Sequence, residues 1–580
     1  IQMNTLRLLL LIFIINAADS LIIHTSFGHL EGAEIGDYHL FKKIPFAKPP
    51  VGNLRFQKPE AAGKWDGIRS AIEYGPACMS NSSKTKSPQK WVDEDCLHVN
   101  IFTSKKCLKS RNCAIAVYIH GGGLTYDSAV MFNDTVLLDT FVKRDVILVI
   151  PGFRLGIFSH FTVHNQNVAP NNLALYDITL ALEFVKSEIH SFGGNSQKIT
   201  LFGHSYGGGL ASMMTFSSEI NRDLSLFQQA IVMSGGFYFE ELKDHIEGTK
   251  RFVEYANCSV PLKLERKMER SQQEMYMMKC LQKLSGMELL RIQRLLEDKG
   301  YPDFGGVILR EPLFPDVKKF ELLKSPKNIP MLTGCTNLEF DHESIKVPFG
   351  KYLEFENPDE CDEKYRNDVE SGVENRGNHT DKTQGIILPL KLQINNLLEN
   401  NVTAYLYEYT YPKHGRHTDD LSYIMGVHAF EKDENEVHLE QVYKDMVINF
   451  IKLGEPGMGF EKSEQNESTY FDIYWNETTG ERPRMRKYFE KEVTDYWLKE
   501  MIEFDQKVTE TKKKLKQISL KTVPFIEKPL EQNDEAGTLI GVSLIAISIF
   551  LIGCIFGRYC CLRRRNLYIR LDGNNYENAG

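Results

Sequence analysis

The chain contains 580 residues, which is too long for a single small module. Its 42% hydrophobic and 25% charged residues are typical of globular proteins, so a disordered chain and a protein with many membrane spans are both excluded. The 69 lysines and arginines against 77 aspartates and glutamates give a net charge of −8. This balance argues against nucleic acid as a partner, because binding to phosphates requires a basic face.

Residues 1–20 have the pattern of a secretory signal peptide. Arg7 precedes an apolar run at 8–15, and small or polar residues follow at 16–20. The apolar run is too short to cross a bilayer. We therefore expect an exported protein.

Residues 537–557 predict a single C-terminal transmembrane helix. These 21 residues carry no charge and, at about 1.5 Å per residue, match a hydrocarbon core roughly 30 Å thick. Five arginines follow within 558–580, and basic residues stay in the cytoplasm. We expect a type I single-pass membrane protein, with its bulk extracellular or lumenal and a cytoplasmic tail at 558–580.

The residues between these segments predict one large domain at 21–508, because no repeat or linker interrupts them, and then a charged stalk at 509–536. Within the domain, short apolar runs rich in β-branched residues alternate with longer helical patterns. The runs lie at 115–119, 146–150, 199–202, 230–233, 330–333 and 404–407. Such alternation predicts an α/β fold with a large, mostly parallel central sheet and helices on both faces.

Eight cysteines lie in the predicted ectodomain, where an oxidising compartment favours disulfides. Their spacing is compatible with three locally closed loops, between Cys78 and Cys96, Cys107 and Cys113, and Cys258 and Cys280. Cys335 and Cys361 are left over, and we expect them to be free or buried.

Seven Asn-x-Ser/Thr sequons on an exported chain predict several glycans. They are at Asn81, Asn133, Asn257, Asn378, Asn401, Asn466 and Asn476.

The segment GHSYG at 203–207 has the pattern of a nucleophile turn. It follows the predicted strand at 199–202 and opens a helix of small residues, so the sharp turn would lift Ser205 clear of the sheet. The alternative is an ordinary serine at a helix start. The strand–turn–helix context favours the nucleophile.

The segment HGGG at 120–123 predicts an oxyanion hole. It follows the strand at 115–119, and glycines allow a chain to turn its N–H groups inward toward a developing negative oxygen. A merely flexible turn is the alternative, which the position upstream of a nucleophile turn disfavours.

Further segments make the chain resemble the type-B carboxylesterase/cholinesterase family over about residues 25–497. They are IPFAKPPVG at 44–52, EDCLHVNI at 94–101, FGGNSQKITLFG at 192–203 and NFIKLGEP at 449–456. The resemblance implies an α/β-hydrolase fold and hydrolysis of a small-molecule ester. It also implies disulfides Cys78–Cys96 and Cys258–Cys280 and the structural ion pairs Arg55–Glu94 and Arg154–Asp177.

The resemblance places a catalytic triad on Ser205, Glu339 and His417. In that family the acid lies in a segment like GCTNLEF, and the histidine precedes a run like HTDDLSYIMG. His414 is excluded because no Asp-Asp-Leu follows it in register. The order Ser–acid–His is that of α/β-hydrolases.

The expected mechanism follows from these roles. His417 takes the proton of Ser205, Glu339 orients and stabilises the imidazole, and an acyl-enzyme forms and is hydrolysed. The N–H groups of Gly122, Gly123 and Tyr206 are expected to bind the oxyanion. The mechanism needs no metal and no cofactor.

The chain departs from the family pattern in three places. The family's Asn-Tyr-Arg-Leu is Gly-Phe-Arg-Leu at 152–155. The family usually has Glu before the serine and Ala after it, whereas this chain has His204 and Tyr206. Cholinesterases carry a choline-binding tryptophan where this chain has Lys86. Acetylcholine is therefore a poor substrate candidate, because a quaternary ammonium prefers an aromatic face.

The rival hypothesis is a non-catalytic or bifunctional cell-adhesion receptor with a protein partner for its ectodomain or tail. The family includes single-pass adhesion proteins, and the predicted stalk, span and tail suit that role. Such proteins commonly lack a triad residue, whereas all three are present here, so the sequence favours the hydrolase.

Overall fold

The structure, a computed structural model, describes residues 21–80, 91–237, 239–301 and 304–522. The predicted signal peptide (1–20), transmembrane segment (537–557) and tail (558–580) lie outside these residues. Within the described ranges, no helix combines the length and apolarity that a membrane crossing requires.

Seventeen strands are present in the described residues. In chain order they are β1 (Leu21–His24), β2 (His29–Ile35), β3 (Tyr38–Pro45), β4 (Ile68–Ala71), β5 (Ala77–Cys78), β6 (Val92–Asp93), β7 (His98–Ser104), β8 (Cys113–Ile119), β9 (Val146–Pro151), β10 (Gly194–His204), β11 (Gln229–Met233), β12 (Phe239–Glu240), β13 (Val307–Ile308), β14 (Met331–Thr336), β15 (Ala404–Tyr409), β16 (Tyr470–Ile473) and β17 (Arg484–Arg486).

Thirteen of these strands form one sheet. Its order is β1-β2-β3-β7-β9-β8-β10-β11-β14-β15-β16-β17, with β4 paired to β2. From β9 to β16 all neighbours are parallel, and antiparallel strands flank this block on both sides. The predicted mostly parallel sheet is therefore confirmed.

Seventeen α-helices are present in the described residues. They are α1 (Lys105–Ser110), α2 (Asp134–Thr140), α3 (Ile157–His160), α4 (Leu173–Glu188), α5 (Tyr206–Phe216), α6 (Leu242–Tyr255), α7 (Leu262–Glu265), α8 (Arg270–Leu281), α9 (Gly286–Asp298), α10 (Lys319–Leu323), α11 (Phe349–Tyr352), α12 (Pro358–Glu370), α13 (Asp381–Glu399), α14 (Ser422–Met425), α15 (Glu434–Leu453), α16 (Lys491–Asp495) and α17 (Met501–Thr522).

Both faces of the parallel block are covered, as the continuous apolar strands predict. Alternate residues of β8 belong to different cores: Val117 packs in a cluster with α4 and α5, whereas Tyr118 packs in a cluster with α15. This double burial explains why the strands carry apolar residues at successive positions.

Two strand predictions differ from the structure. The run at 330–333 predicts a strand beginning at Pro330, but β14 begins at Met331. Proline has no N–H for the ladder, and only its carbonyl is used, by the N–H of Ala230 at 3.0 Å. The sequence also indicates no strand after 404–407, whereas β16 extends the parallel block by one.

The three cysteine loops are closed by disulfides, Cys78–Cys96, Cys107–Cys113 and Cys258–Cys280. Cys335 and Cys361 are free and buried, as expected.

The two ion pairs implied by the family resemblance are present and buried. Both are bidentate: Arg55 donates to Glu94 with both N···O distances 2.6 Å, and Arg154 donates to Asp177 at 2.8 and 2.7 Å. Arg55 also donates to the carbonyls of Leu281 and Leu284 at 2.9 and 2.8 Å, which ties the first disulfide loop to α8. These charges stabilise the scaffold.

Five of the predicted glycosylation sites are exposed, namely Asn133, Asn257, Asn378, Asn401 and Asn466. Asn476 is half-buried, and Asn81 lies outside the described residues.

Contacts divide the chain into two units, with a boundary after Thr509. The described part of the predicted stalk, residues 509–522, is helical and belongs to α17.

Candidate active site

Four segments of the predicted site follow the carboxyl ends of strands in the parallel block. The glycine run 120–123 follows β8, Ser205 follows β10, Glu339 comes shortly after β14, and His417 lies in the segment after β15. Carboxyl ends of parallel strands lie at one edge of a sheet, where α/β proteins place their ligands. The topology therefore brings these distant segments together.

Ser205 occupies a strained turn between β10 and α5. Its backbone has φ 58° and ψ −131°, a conformation that side chains rarely adopt. A Cβ on Gly203 would lie 2.2 Å from the carbonyl oxygen of Gly207, and a Cβ on Gly207 would lie 2.1 Å from that of Ile119. The turn therefore requires both glycines, as a sharp turn between a strand and a helix does.

The side chains of Ser205, His417 and Glu339 form one hydrogen-bonded series. The Oγ of Ser205 lies 2.8 Å from Nε2 of His417, and Nδ1 of His417 bonds Oε2 of Glu339. Because a carboxylate only accepts, Nδ1 carries the proton and Nε2 is free to accept from the serine. The structure thus brings together the three residues that were predicted to form the triad.

Glu339 is fully buried, and two further donors hold it. Its Oε1 accepts from the hydroxyl of Ser234 at 2.5 Å and from the N–H of Thr336 at 3.0 Å. Sequence reasoning missed Ser234, which directly follows β11. The available signal was its position at the carboxyl end of a strand next to β10.

A second set of contacts positions the segment that carries Glu339. The N–H of Phe340 donates to Oγ1 of Thr383 at 2.9 Å, and the N–H of Thr380 donates to Asp341 at 2.9 Å. The ring of Phe340 packs against the imidazole of His417, with 4.3 Å between ring centroids. The acid and the histidine are therefore held by the same short segment.

His379 anchors this segment by ionic contacts. Its Nδ1 lies 2.7 Å from Oδ2 of Asp341 and its Nε2 3.2 Å from Oε2 of Glu490. Burial alone would lower the pKa of His379, but the hydrogen bonds to the two carboxylates raise it to about 10. His379 is therefore a cation at neutral pH, next to the acid-bearing segment.

The predicted oxyanion hole lies beside the serine. Gly122 and Gly123 have φ values of 90° and 60°, and a Cβ on Gly122 would lie 2.4 Å from the carbonyl oxygen of Tyr126. A Cβ on Gly121 would lie 3.0 Å from the Cβ of Ser205, so the glycine run lies directly against this serine. Within the described part of the chain, no hydrogen bond uses the N–H of Gly122 or Gly123.

Tyr206 lies near two residues of a cavity of about 770 Å³, although its own side chain is not part of the cavity lining. Burial and the charge of Glu240 raise the pKa of the Tyr206 phenol, and the phenol of Tyr352 lies near it. Glu240 and Tyr352 both line the cavity, together with apolar side chains such as Phe239 and Val347. A pocket of mixed polarity thus borders two residues that interact with the phenol of Tyr206, the residue after Ser205.

Two other histidines near the site have separate roles. His414 stacks on Phe430, with 3.6 Å between ring centroids, and its Nδ1 lies 2.5 Å from Glu436. His120 is buried against Phe153, and burial lowers its pKa to about 4, so it is neutral. In the ranges that the structure covers, no three His, Cys, Asp or Glu side chains converge as a metal site would require.

Comparisons with known proteins identify the family. A family model described as the carboxylesterase family matches residues 19–497. Carboxylesterase 5A from Mus musculus is 31% identical over 339 residues, and the match spans only 54% of this chain and 54% of that protein. Pyrethroid hydrolase Ces2e from Rattus norvegicus is 27% identical over 541 residues, covering 84% of this chain and 90% of the relative.

A PNB esterase of known structure has a TM-score of 0.68 with this chain at 20% identity, covering 82% of this chain and 99% of the esterase. At that identity the likeness concerns the fold alone.

Proposed function

The chain belongs to the carboxylesterase family, and from that premise we propose that it hydrolyses carboxylic esters with Ser205, His417 and Glu339 as its triad. The observation that carries the proposal is the hydrogen-bonded series from the Ser205 hydroxyl through the His417 imidazole to the buried Glu339. The relatives reported above are named as esterases or hydrolases and do not favour the adhesion receptor.

The reaction begins with proton transfer from Ser205. Its Oγ attacks the ester carbonyl while Nε2 of His417 takes the proton, and Glu339 stabilises the imidazolium. The same proton then passes to the departing alcohol, which leaves an acyl-enzyme. Water deprotonated by His417 hydrolyses this ester and regenerates Ser205.

The tetrahedral oxyanion is stabilised by N–H groups of the glycine run and of the residue after the serine. We assign this role to Gly122, Gly123 and Tyr206. Donors that point to a developing charge before the reaction begins contribute much of the rate, and removing one typically costs about 10²–10³-fold.

A fluorophosphonate probe tests the nucleophile directly. We expect the wild-type chain to be labelled on Ser205, and Ser205→Ala and His417→Ala to abolish labelling. His414→Ala is the matched control, because His414 lies close in sequence but bonds Glu436, and it should retain labelling. A folded wild-type chain that neither takes up the probe nor cleaves a p-nitrophenyl ester would contradict the proposal.

We further propose that residues 537–557 anchor the enzyme as a type I membrane protein with its catalytic domain extracellular or lumenal. The uncharged segment, the arginines after it and the sequons before it support this topology. A tag after Asn578 should be reachable only in permeabilised cells, and a glycosidase should lower the apparent mass. A tag that is reachable in intact cells would show that the protein has the opposite orientation in the membrane.

A further inference from the structure

A second buried histidine lies beside the proposed triad. His204 precedes Ser205, and its ring centroid is 5.0 Å from that of His417. Its Nε2 faces Oδ1 of Asp420 at 3.9 Å. Among the described residues, neither of these two buried atoms has a hydrogen-bond partner. Buried polar atoms are nearly always paired, so this juxtaposition calls for an explanation.

The surroundings of the two groups favour their neutral forms. Burial, and then the charge of Glu339, raise the pKa of Asp420 to about 8, although the hydroxyl of Tyr443 donates to its Oδ2 at 3.1 Å. Burial lowers the pKa of His204 well below its usual range, helped by His417 and His428. At neutral pH, Asp420 is therefore a carboxylic acid and His204 a neutral imidazole.

Other titratable groups also face this pair, so a change in the charge of the pair would shift their electrostatic energies. They are Tyr118, Cys335, Glu339, Tyr407, Tyr409, His417, Asp419, Tyr423, His428 and Tyr443.

We propose that His204 and Asp420 form a neutral buried pair that holds the imidazole of His417 in place, which makes both of them positioning residues. The inference rests on the proposed esterase function. An approach of about 1 Å brings the acid proton of Asp420 within hydrogen-bond distance of Nε2 of His204. This bond orients the His204 ring against His417 and keeps water from that side of the imidazole.

Because the pair is neutral, it adds no charge next to the imidazole of His417. Glu339 remains the carboxylate that stabilises the His417 imidazolium, and no second anion competes for it.

The test compares His204→Ala, Asp420→Ala and Asp420→Asn in the full-length chain with a p-nitrophenyl ester. We expect both alanine variants to lower kcat by up to about 100-fold with little change in KM, because misplaced catalytic groups cost about that much. Water reaching His417 favours its charged form, so the acid limb of the pH profile should move to higher pH. Asp420→Asn should recover most of the lost kcat, since a carboxamide still donates to His204.

His39→Ala is the matched control. His39 is buried on β3, and burial also lowers its pKa, but it lies four strands away from β10 in the sheet. It should leave kcat and the acid limb unchanged. Wild-type behaviour of His204→Ala, or equal losses in Asp420→Asn and Asp420→Ala, would overturn the inference. If His204→Ala does not fold, the comparison of kcat between Asp420→Ala and Asp420→Asn tests the inference.

A readout without substrate separates this inference from the proposed function. The rate at which diethyl pyrocarbonate acylates His417, followed by peptide mass spectrometry against pH, reports the protonation of that imidazole. In Asp420→Ala the profile should shift to higher pH even if the wild-type chain cleaves no ester. An unshifted profile would reject the pair, whatever the activity of the enzyme.

Discussion

The Nε2 atom of His417 lies 2.8 Å from the Oγ atom of Ser205, although 212 positions separate the two residues in the chain. Strands β11 and β14 lie between β10 and β15 in the sheet, so the segment after β15 must reach back across two strands. Contacts with Glu339 and Phe340 hold the imidazole in that direction. The proposed chemistry depends on these contacts, because they keep the imidazole within reach of Ser205.

Glu339→Gln should lower kcat by about 10³–10⁴-fold while leaving the fold intact. The amide keeps the size of the side chain, but it neither fixes the productive tautomer of His417 nor stabilises the imidazolium. Steady-state hydrolysis of a p-nitrophenyl ester measures the loss. Glu343→Gln is the control, because Glu343 lies in the same segment and pairs with Lys382 instead. Equal activity of the two variants would remove Glu339 from the triad.

Ser234→Ala should lower kcat by roughly tenfold and the free energy of unfolding by about 1–2 kcal/mol. The substitution removes the 2.5 Å hydrogen bond to Oε1 of Glu339 and leaves that buried oxygen with the N–H of Thr336. Activity and denaturant unfolding should both be measured. Normal kcat in Ser234→Ala would show that this hydrogen bond does not position Glu339.

Gly122→Ala should lower kcat by about 10²–10³-fold, the cost of losing one oxyanion donor. The new Cβ would lie 2.4 Å from the carbonyl of Tyr126, and φ of 90° is strained for alanine, so the glycine run must move. Gly63→Ala, where nothing lies within 4 Å, should have no effect. A Gly122→Ala enzyme with normal kcat would place the oxyanion elsewhere.

The stability of the wild-type protein should depend on the charge of His379. The folded-state pKa of about 10 lies above the ordinary value of 6.5, so the stabilisation is complete below pH 6.5 and is lost as the pH rises to about 10. Over that window wild type should lose roughly 2–4 kcal/mol more than His379→Gln. Thermal unfolding at a series of pH values measures this difference.

His342→Gln is the control for that titration. His342 is exposed and lies 3.7 Å from Glu343, so its removal should leave the pH dependence of wild type unchanged. Parallel pH profiles for wild type and His379→Gln would show that the contacts with Asp341 and Glu490 do not stabilise the folded state.

The glycines of the nucleophile turn and the apolar strands were predictable because their reasons are local. A turn that crowds Gly203 against Gly207 must lack side chains whatever surrounds it, and a strand buried on both faces must be apolar at successive positions. Sequence patterns within about ten residues therefore determined the fold class and the place of the nucleophile. The resemblance to a family supplied Glu339 and His417.

Tertiary structure alone decided which side chains support these residues. Ser234 lies 105 positions from Glu339, and His204 faces Asp420 from another strand end, so no local pattern links them. Such pairs depend on strand order and on side-chain direction at the edge of the sheet, which the packing of the whole domain determines. The same reason explains why β16 escaped prediction: its place in the sheet comes from its pairing with β15, not from its own four residues.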